Sequence, residues 1–159
     1  MKILVFSDSH GRAASMERVI GKCKEWVDAV IFLGDVVRDI APLVKTHADI
    51  DFHIVKGNCD FISRYPSEQV AELGGSRVLI THGDDFGVKI GYDRIAQAAA
   101  QRGAAACFFG HTHVPYTATV GGVLLLNPGS IAYPRGRLGP SFAYVDITDG
   151  KIDVNIAEV

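Results

Sequence analysis

Five short apolar segments in this chain each end in a turn that carries an aspartate, a histidine or an asparagine. The clearest case is the segment 104–109, which runs directly into Gly110-His111-Thr112-His113. Residues of the same kind follow four other apolar segments: Asp8 and His10, Asp35, Asn58, and His82. Ligands of open α/β sheets bind outside the carboxyl ends of the strands. The pattern therefore predicts a polar site where several strand ends meet.

Each of these residues also has an ordinary structural explanation when it is considered alone. Asp8 or Asp35 can cap a helix, Asn58 can stabilise a turn, and His82 can be a loop histidine without a special role. Repetition of the arrangement at five strand ends favours one common site. Its carboxylates, imidazoles and amide are suitable ligands for Mn, Fe, Ni, Co or Zn ions. Seven ligands suit two ions that share one carboxylate, a device used for displacement at phosphorus.

The composition indicates a globular protein, and we expect one domain over residues 1–159. Of the 159 residues, 48% are hydrophobic and 21% are charged, enough to bury a substantial core. A formal net charge of −2 argues against an extended nucleic-acid-binding surface. The three cysteines are scattered, unlike a secreted disulfide framework. With no recognisable signal peptide or membrane-spanning run, we expect a cytoplasmic protein with no membrane partner.

The apolar periodicity predicts strands that alternate with helices in the first third of the chain and hairpins later. Predicted strands over 3–6, 29–33 and 52–55 are separated by helices around 16–27 and 36–46. Pro42 can only lie in the first turn of the second helix or kink it. The later elements are hairpins over 70–81, 116–126 and 142–156, a helix over 92–102 that ends at Gly103, and a strand over 104–109. This order predicts two packed sheets with helices outside them.

The five polar blocks resemble, in order and spacing, the motifs of the calcineurin-like metallophosphoesterase superfamily. They are Asp8-x-His10, Gly34-Asp35, Gly57-Asn58, Thr81-His82-Gly83 and Gly110-His111-Thr112-His113. Two blocks, Gly57-Asn58-Cys59-Asp60 and Asn127-Pro128-Gly129-Ser130, are similar to those of the small YfcE-type phosphodiesterases. The resemblance implies an α/β fold, a four-layer α/β/β/α sandwich of two mixed sheets flanked by helices.

The resemblance also implies a dimetal-dependent phosphoesterase that favours phosphodiesters, with a small phosphoester as substrate and a metal-bridging hydroxide that attacks phosphorus. One ion would be bound by Asp8, His10, Asp35 and His113, and the other by Asp35, Asn58, His82 and His111. Mn²⁺ is the expected ion, with Ni²⁺, Fe²⁺, Co²⁺ and Zn²⁺ as alternatives. Asn58 and His82 would also orient the phosphate.

Several residues near these blocks have two interpretations. Many superfamily members have histidine where this chain has Cys59, and a neutral thiol of pKa about 8.5 replaces imidazole poorly in acid catalysis; a small buried packing residue is the alternative. Asp60 could orient Asn58 or a metal-bound group, or it could cap a helix. Ser130 and Arg135 could contact phosphate, or they could be a structural turn residue and a solvated arginine.

Two other functions remain open at this point. The chain could be a phosphomonoesterase, or it could be a protein-binding scaffold like the retromer subunit Vps29, which resembles the same fold with a degraded metal site. Fold alone does not decide between these classes, but every ligand position is filled here. Exposed apolar surface could also mediate a homo-oligomer. Substrate specificity is expected from the loops 84–91 and 131–139.

Overall fold

The computed structural model describes all 159 residues and contains ten β-strands and three α-helices. The strands are β1 (Lys2–Phe6), β2 (Ala29–Phe32), β3 (Asp51–Ile54), β4 (Glu68–Leu73), β5 (Ser76–Thr81), β6 (Ala106–Phe108), β7 (Tyr116–Val120), β8 (Val123–Asn127), β9 (Ser141–Thr148) and β10 (Lys151–Glu158). The helices are α1 (Ala13–Cys23), α2 (Ala41–Thr46) and α3 (Asp93–Gln101). All the strands predicted from the sequence are present, with small shifts at their ends.

The strands form two mixed sheets of five strands each. The order in the first sheet is β10-β9-β1-β2-β3, and the order in the second is β4-β5-β6-β8-β7. Strands β1, β2 and β3 are parallel to one another, as are β5, β6 and β8, whereas β4, β7, β9 and β10 run antiparallel to their neighbours. The carboxyl ends of the parallel strands therefore lie together along one edge of each sheet.

Helices cover the outer face of each sheet and complete four layers. Helices α1 and α2 pack on the first sheet and α3 packs on the second. Strand β1 shows how the layers are built, because Ile3 and Val5 face the other sheet while Leu4 and Phe6 face the helices. All four side chains are fully buried. The α/β/β/α sandwich implied by the resemblance is confirmed.

The structure differs from the sequence predictions in the first two helices, since the helix predicted around 16–27 spans Ala13–Cys23. The predicted helix over 36–46 is divided into a 3₁₀ turn, Val37–Asp39, and helix α2, with Pro42 in the first turn of α2. The preceding Val36 has a left-handed φ of 78°, which no α-helix can continue through. The last hairpin joins the first sheet, where β9 pairs with β1 across most of the chain length. No helix combines the length and hydropathy that crossing a bilayer requires.

The two sheets approach each other closely at the edge where their parallel strands end. Gly110 follows β6 and packs against Ser7, which follows β1 in the other sheet. A Cβ atom at position 110 would overlap the Ser7 hydroxyl and lie 3.0 Å from Asp8 Oδ2. Only glycine leaves room for this approach.

We expect Gly110→Ala to lower the free energy of unfolding by about 2 kcal/mol, because inserting a methyl group into a packed contact costs about 1–3 kcal/mol. Urea denaturation of the metal-free protein measures this change. The matched control is Gly21→Ala on α1, where a Cβ atom would meet nothing within 4 Å. The control should be neutral or stabilising by up to about 1 kcal/mol, and equal stability of the two variants would contradict the close approach.

Candidate metal centre

Six of the seven predicted ligands lie together at the edge where β1, β2, β5 and β6 end. Donor atoms of Asp8, His10 and His113 lie within 4.8 Å of one another, and so do those of Asp8, Asp35 and His82. Asp8 and His82 are fully buried, and Asp35 and His113 are nearly so. His111 joins the group through Nδ1, which lies 3.1 Å from His82 Nε2. The structure thus brings together side chains from four separate strand ends.

Backbone carbonyls determine which imidazole nitrogens are free. Nδ1 of His82 lies 2.7 Å from the carbonyl oxygen of Leu33, and Nδ1 of His113 lies 2.6 Å from that of Tyr133. A carbonyl oxygen only accepts, so each Nδ1 carries a proton and donates it. In the neutral ring, Nε2 then presents its lone pair to the centre of the cluster. Metal-binding histidines are oriented by second-shell hydrogen bonds of this kind.

Asp8 presents an unpaired oxygen to the same centre. Its Oδ2 accepts hydrogen bonds from the Ser7 hydroxyl at 2.6 Å and from the His111 N–H at 3.1 Å. Its Oδ1 is buried, lies 3.1 Å from His113 Nε2 and accepts no well-formed hydrogen bond. A carboxylate oxygen and an imidazole lone pair repel each other at this distance unless a positive charge lies between them.

The pKa values of this pair shift in the directions that such a charge requires. Burial raises the pKa of Asp8, but His113 and His82 outweigh burial, so the pKa of Asp8 is lowered. Asp8 in turn is the main reason why the pKa of His113 is raised. Both shifts show that positive charge between the two side chains is stabilised. A divalent cation can carry that charge in place of the proton, so the residues present fit a metal ion.

Asp35 lies between two sets of imidazoles. Its Oδ1 is 3.4 Å from His82 Nε2, and its Oδ2 is 3.8 Å from His10 Nε2. The backbone N–H of Cys59 donates to Oδ1 at 2.9 Å, and the Cys59 thiol donates to Oδ2 at 3.3 Å. Each oxygen of one carboxylate therefore faces a different histidine, which is the geometry that a shared ligand needs.

Asn58 and Cys59 lie at the exposed rim of the cluster. The Asn58 side chain is exposed, and its amide lies 3.5 Å from Cys59 Sγ rather than beside another predicted ligand, so its role as a ligand stays a prediction. Cys59 is exposed as well, which excludes the alternative of a buried packing residue. Partial desolvation and the neighbouring Asp35 raise the pKa of Cys59 to about 11. The thiol is therefore protonated at neutral pH.

Asp60 joins the two loops that follow β2 and β3. Its Oδ1 accepts hydrogen bonds from the N–H groups of Val36 at 3.0 Å and Val37 at 2.9 Å. Its Oδ2 accepts from the N–H groups of Asp35 at 3.1 Å and Gly57 at 2.9 Å. Val37 begins the 3₁₀ turn, so the capping interpretation matches these contacts. With both oxygens directed at the backbone, Asp60 positions the loop that carries Asp35.

Unusual backbone conformations are concentrated in this cluster. Seven non-glycine residues of the chain have positive φ, and five of them are predicted ligands: Asp8, His10, Asp35, His111 and His113. Such conformations cost free energy and persist only where the surrounding structure enforces them. The strand ends are therefore shaped to direct these side chains inward.

Three residues that support the cluster were not among the predicted site residues. Ser7 donates to Asp8, Asn127 donates to the carbonyl oxygen of Gly110 at 2.7 Å, and Asp39 accepts two 2.7 Å hydrogen bonds from the loop after β1. Asn127 stands at the end of another apolar segment, so the signal that identified the ligands could also have identified it. The supporting carbonyl groups carry no signal in the sequence.

Ser130 has the structural role that was its simpler interpretation, whereas the phosphate contact considered for Arg135 stays a prediction. Ser130 is fully buried, donates to the carbonyl oxygen of Asp8 at 2.8 Å and accepts from the N–H of Tyr133 at 2.8 Å. Its hydroxyl is thus committed to a turn. Arg135 is exposed, and its backbone N–H donates to the carbonyl oxygen of His113 at 3.0 Å.

Comparison with solved structures relates this geometry to known proteins. A predicted phosphoesterase of Streptococcus pneumoniae superposes with a TM-score of 0.86 at 37% identity, over 99% of this chain and 88% of the other. Vps29 of Entamoeba histolytica superposes with a TM-score of 0.78 at 22% identity, over 100% of this chain and 99% of the other. The second likeness is one of fold alone.

Sequence comparison identifies the family. A probable metallophosphoesterase of Bacillus subtilis, YsnB, is 32% identical over 97% of this chain and 89% of its own length. The phosphodiesterase YfcE of Escherichia coli K12 is 28% identical over 92% of this chain and 88% of its own length. The model of the calcineurin-like phosphoesterase superfamily domain matches residues 1–150. The chain therefore belongs to the calcineurin-like phosphoesterase superfamily.

Proposed function

We propose that this phosphoesterase-family chain is a dimetal-dependent hydrolase that prefers phosphodiesters to phosphomonoesters. The observation that carries the proposal is the buried Asp35 carboxylate, of which one oxygen lies near His82 and the other near His10. The unpaired Oδ1 of Asp8 supports a cationic occupant beside it. The name of the relative YfcE, a phosphodiesterase, supports the substrate class. Mn²⁺ is the proposed ion.

The proposed ligands form two sets that share Asp35. One set is Asp8, His10, Asp35 and His113, and the other is Asp35, Asn58, His82 and His111. When bound, two divalent ions act as Lewis acids on the phosphate oxygens and lower the pKa of a water molecule. Of the two residues proposed to orient phosphate, Asn58 is exposed at the rim, while His82 is fully buried and acts first as a ligand.

Hydrogen bonds from groups outside the two ligand sets hold the proposed ligands in place. The carbonyl oxygens of Leu33 and Tyr133 hold the Nδ1 protons of His82 and His113, so Nε2 of each ring is the nitrogen that faces the cluster. Asp60 fixes the loop of the shared carboxylate through backbone N–H groups. Because only Asp8 and Asp35 bring negative charge to the cluster, two divalent ions would leave it positive overall and attractive to phosphate. These features favour an enzyme over a protein-binding scaffold.

The first prediction concerns metal removal. Excess chelator should reduce hydrolysis of bis(4-nitrophenyl) phosphate by at least about 100-fold, because Lewis-acid stabilisation supplies several kcal/mol. Mn²⁺ or Ni²⁺ should restore the rate, and the monoester 4-nitrophenyl phosphate should react more slowly throughout. Full activity of the stripped protein in chelator would contradict metal dependence, and faster monoester hydrolysis would favour a phosphomonoesterase.

The second prediction separates the shared carboxylate from an unshared one. Asp35→Asn removes negative charge from between both proposed ions, so the metal content after dialysis should fall from two ions per chain to below one. Asp8→Asn should retain about one ion. Elemental analysis measures these contents, with the exposed Asp49→Asn as a control that keeps both ions. Two tightly bound ions in Asp35→Asn would remove the bridging role from this residue.

The third prediction concerns the leaving group. Since the Cys59 thiol is a poor acid at neutral pH, the wild-type enzyme should depend on leaving groups that need no proton and should cleave aryl esters much faster than alkyl esters. Cys59→His should raise the rate for alkyl esters, since general-acid help is worth about 10²–10⁴-fold where it operates. The gain should be smaller for aryl esters.

Rates and metal content must be measured together for this variant, because imidazole is bulkier than a thiol and can displace the ligands. Cys59→Ser is the matched control, since it keeps a small polar side chain and adds no imidazole. Equal and modest gains for both ester classes, with the metal content intact, would exclude a leaving-group role at position 59.

A further inference from the structure

Two large apolar side chains project into solvent directly beside the candidate metal centre. Phe61 is 90% exposed and Ile62 is 104% exposed, and both follow the loop that contains Asn58, Cys59 and Asp60. Aromatic and branched aliphatic side chains are usually buried, and adjacent exposed ones mark binding surfaces more often than isolated ones do. Their position immediately after the ligand loop suggests a role at the same site.

Phe61 separates two clefts of different character. On one side is a cleft of about 370 Å³ whose wall is mainly apolar, formed by Val36, Val37, Cys59, Phe61 and Ile62, with Arg38 at its border. On the other side is a cleft of about 330 Å³ whose wall is mainly polar, and its side chains include Lys56, Asn58, Ser67, Asp84 and Asp85. We call these the apolar cleft and the polar cleft.

Both clefts adjoin the cluster of proposed ligands through the loop that carries Asn58 and Cys59. Cys59 lines the apolar cleft and lies 3.3 Å from Asp35 through its thiol. Asn58, a proposed ligand, lines the polar cleft. An ester whose phosphate is bound at the cluster must direct its substituents outward from phosphorus. The two clefts that Phe61 lines offer space for those substituents.

The two clefts suit different substituents of the phosphate, one apolar and one polar. A planar apolar group gains contact with the Phe61 ring and Ile62 in the apolar cleft, and the Arg38 guanidinium can stack on its face. Hydroxyl or amino groups find both donors and acceptors in the polar cleft, from Lys56 and the carboxylates of Asp84 and Asp85.

We propose that Phe61 and Ile62 bind the apolar ester group of the substrate. The substrate class is then a phosphodiester with one planar apolar substituent and one polar substituent. Phe61 and Ile62 are specificity-determining residues in this proposal. The inference rests on the proposed function, because it requires the phosphate to bind at the ligand cluster.

The test compares two phosphonates that differ only in their organic group. We expect phenylphosphonate to bind the Mn²⁺-loaded protein about tenfold more tightly than methylphosphonate, as aromatic contacts of this kind allow. Phe61→Ser should reduce this ratio to near one, and Ile62→Ser should reduce it in part. Methylphosphonate affinity should not change in either variant. Titration calorimetry measures the binding without relying on turnover.

A kinetic test compares the phenyl and methyl esters of 4-nitrophenyl phosphate as substrates. The ratio of kcat/KM for the phenyl ester to that for the methyl ester should fall in Phe61→Ser and Ile62→Ser. The matched control is Trp26→Ser, which removes another partly exposed aromatic side chain. Trp26 precedes β2 and so lies at the opposite end of the first sheet from the strand ends of the site. This control should retain both ratios.

The outcomes separate the two proposals. Equal binding of both phosphonates, or a ratio that Phe61→Ser leaves unchanged, overturns the role of Phe61 and Ile62 and leaves the phosphoesterase proposal standing. Failure of both phosphonates to bind the metal-loaded protein overturns the proposed function and this inference with it. Conversion of an oligomer to a monomer in Phe61→Ser, with the ratio unchanged, identifies the surface as a subunit interface and also overturns the inference.

Discussion

The buried carboxylates of Asp8 and Asp35 must be balanced by positive charge, and much of the surrounding structure follows from that requirement. The Nδ1 protons of His82 and His113 are donated to backbone carbonyls, so Nε2 of each ring is the nitrogen that faces the carboxylates. A cation between the strand ends would balance these charges, and the side chains that face its position come from both sheets.

The need to direct these side chains toward one centre explains why residues at the strand ends have backbone conformations that cost free energy. Left-handed φ angles at Asp8, Asp35 and His113 turn their side chains into a small buried volume, and such strain persists only where neighbouring contacts enforce it. Asp60 provides one such constraint through four backbone hydrogen bonds, and Gly110 permits another by allowing the second sheet to approach Ser7. The core is thus a rigid support for a strained edge.

The same fold serves proteins of different kinds, because Vps29 shares the whole architecture at low sequence identity. The function of this chain therefore depends on the residues of its site and not on the four-layer architecture. Here the ligand cluster is buried and oriented, while its rim is open and asymmetric, with the exposed Phe61 between an apolar and a polar cleft. The buried part suits the chemistry common to a family, and the rim is where substrate preference can differ between relatives.

The strands, the hairpins and the residues of the cluster were predictable from the sequence, because apolar periodicity and polar strand ends are local signals. Asp8, Asp35, His82 and the His111-x-His113 pair were all identifiable in this way. Which chain segments meet could be seen only in the folded chain. The pairing of β9 with β1, the binding of Asp60 to backbone N–H groups and the carbonyl partners of the histidines depend on contacts between distant segments. Backbone N–H and C=O groups occur at nearly every position, so the type of residue does not indicate which of them makes such a contact. The exposure of Phe61 could not be predicted from the sequence either, since an apolar residue is ordinarily expected to be buried.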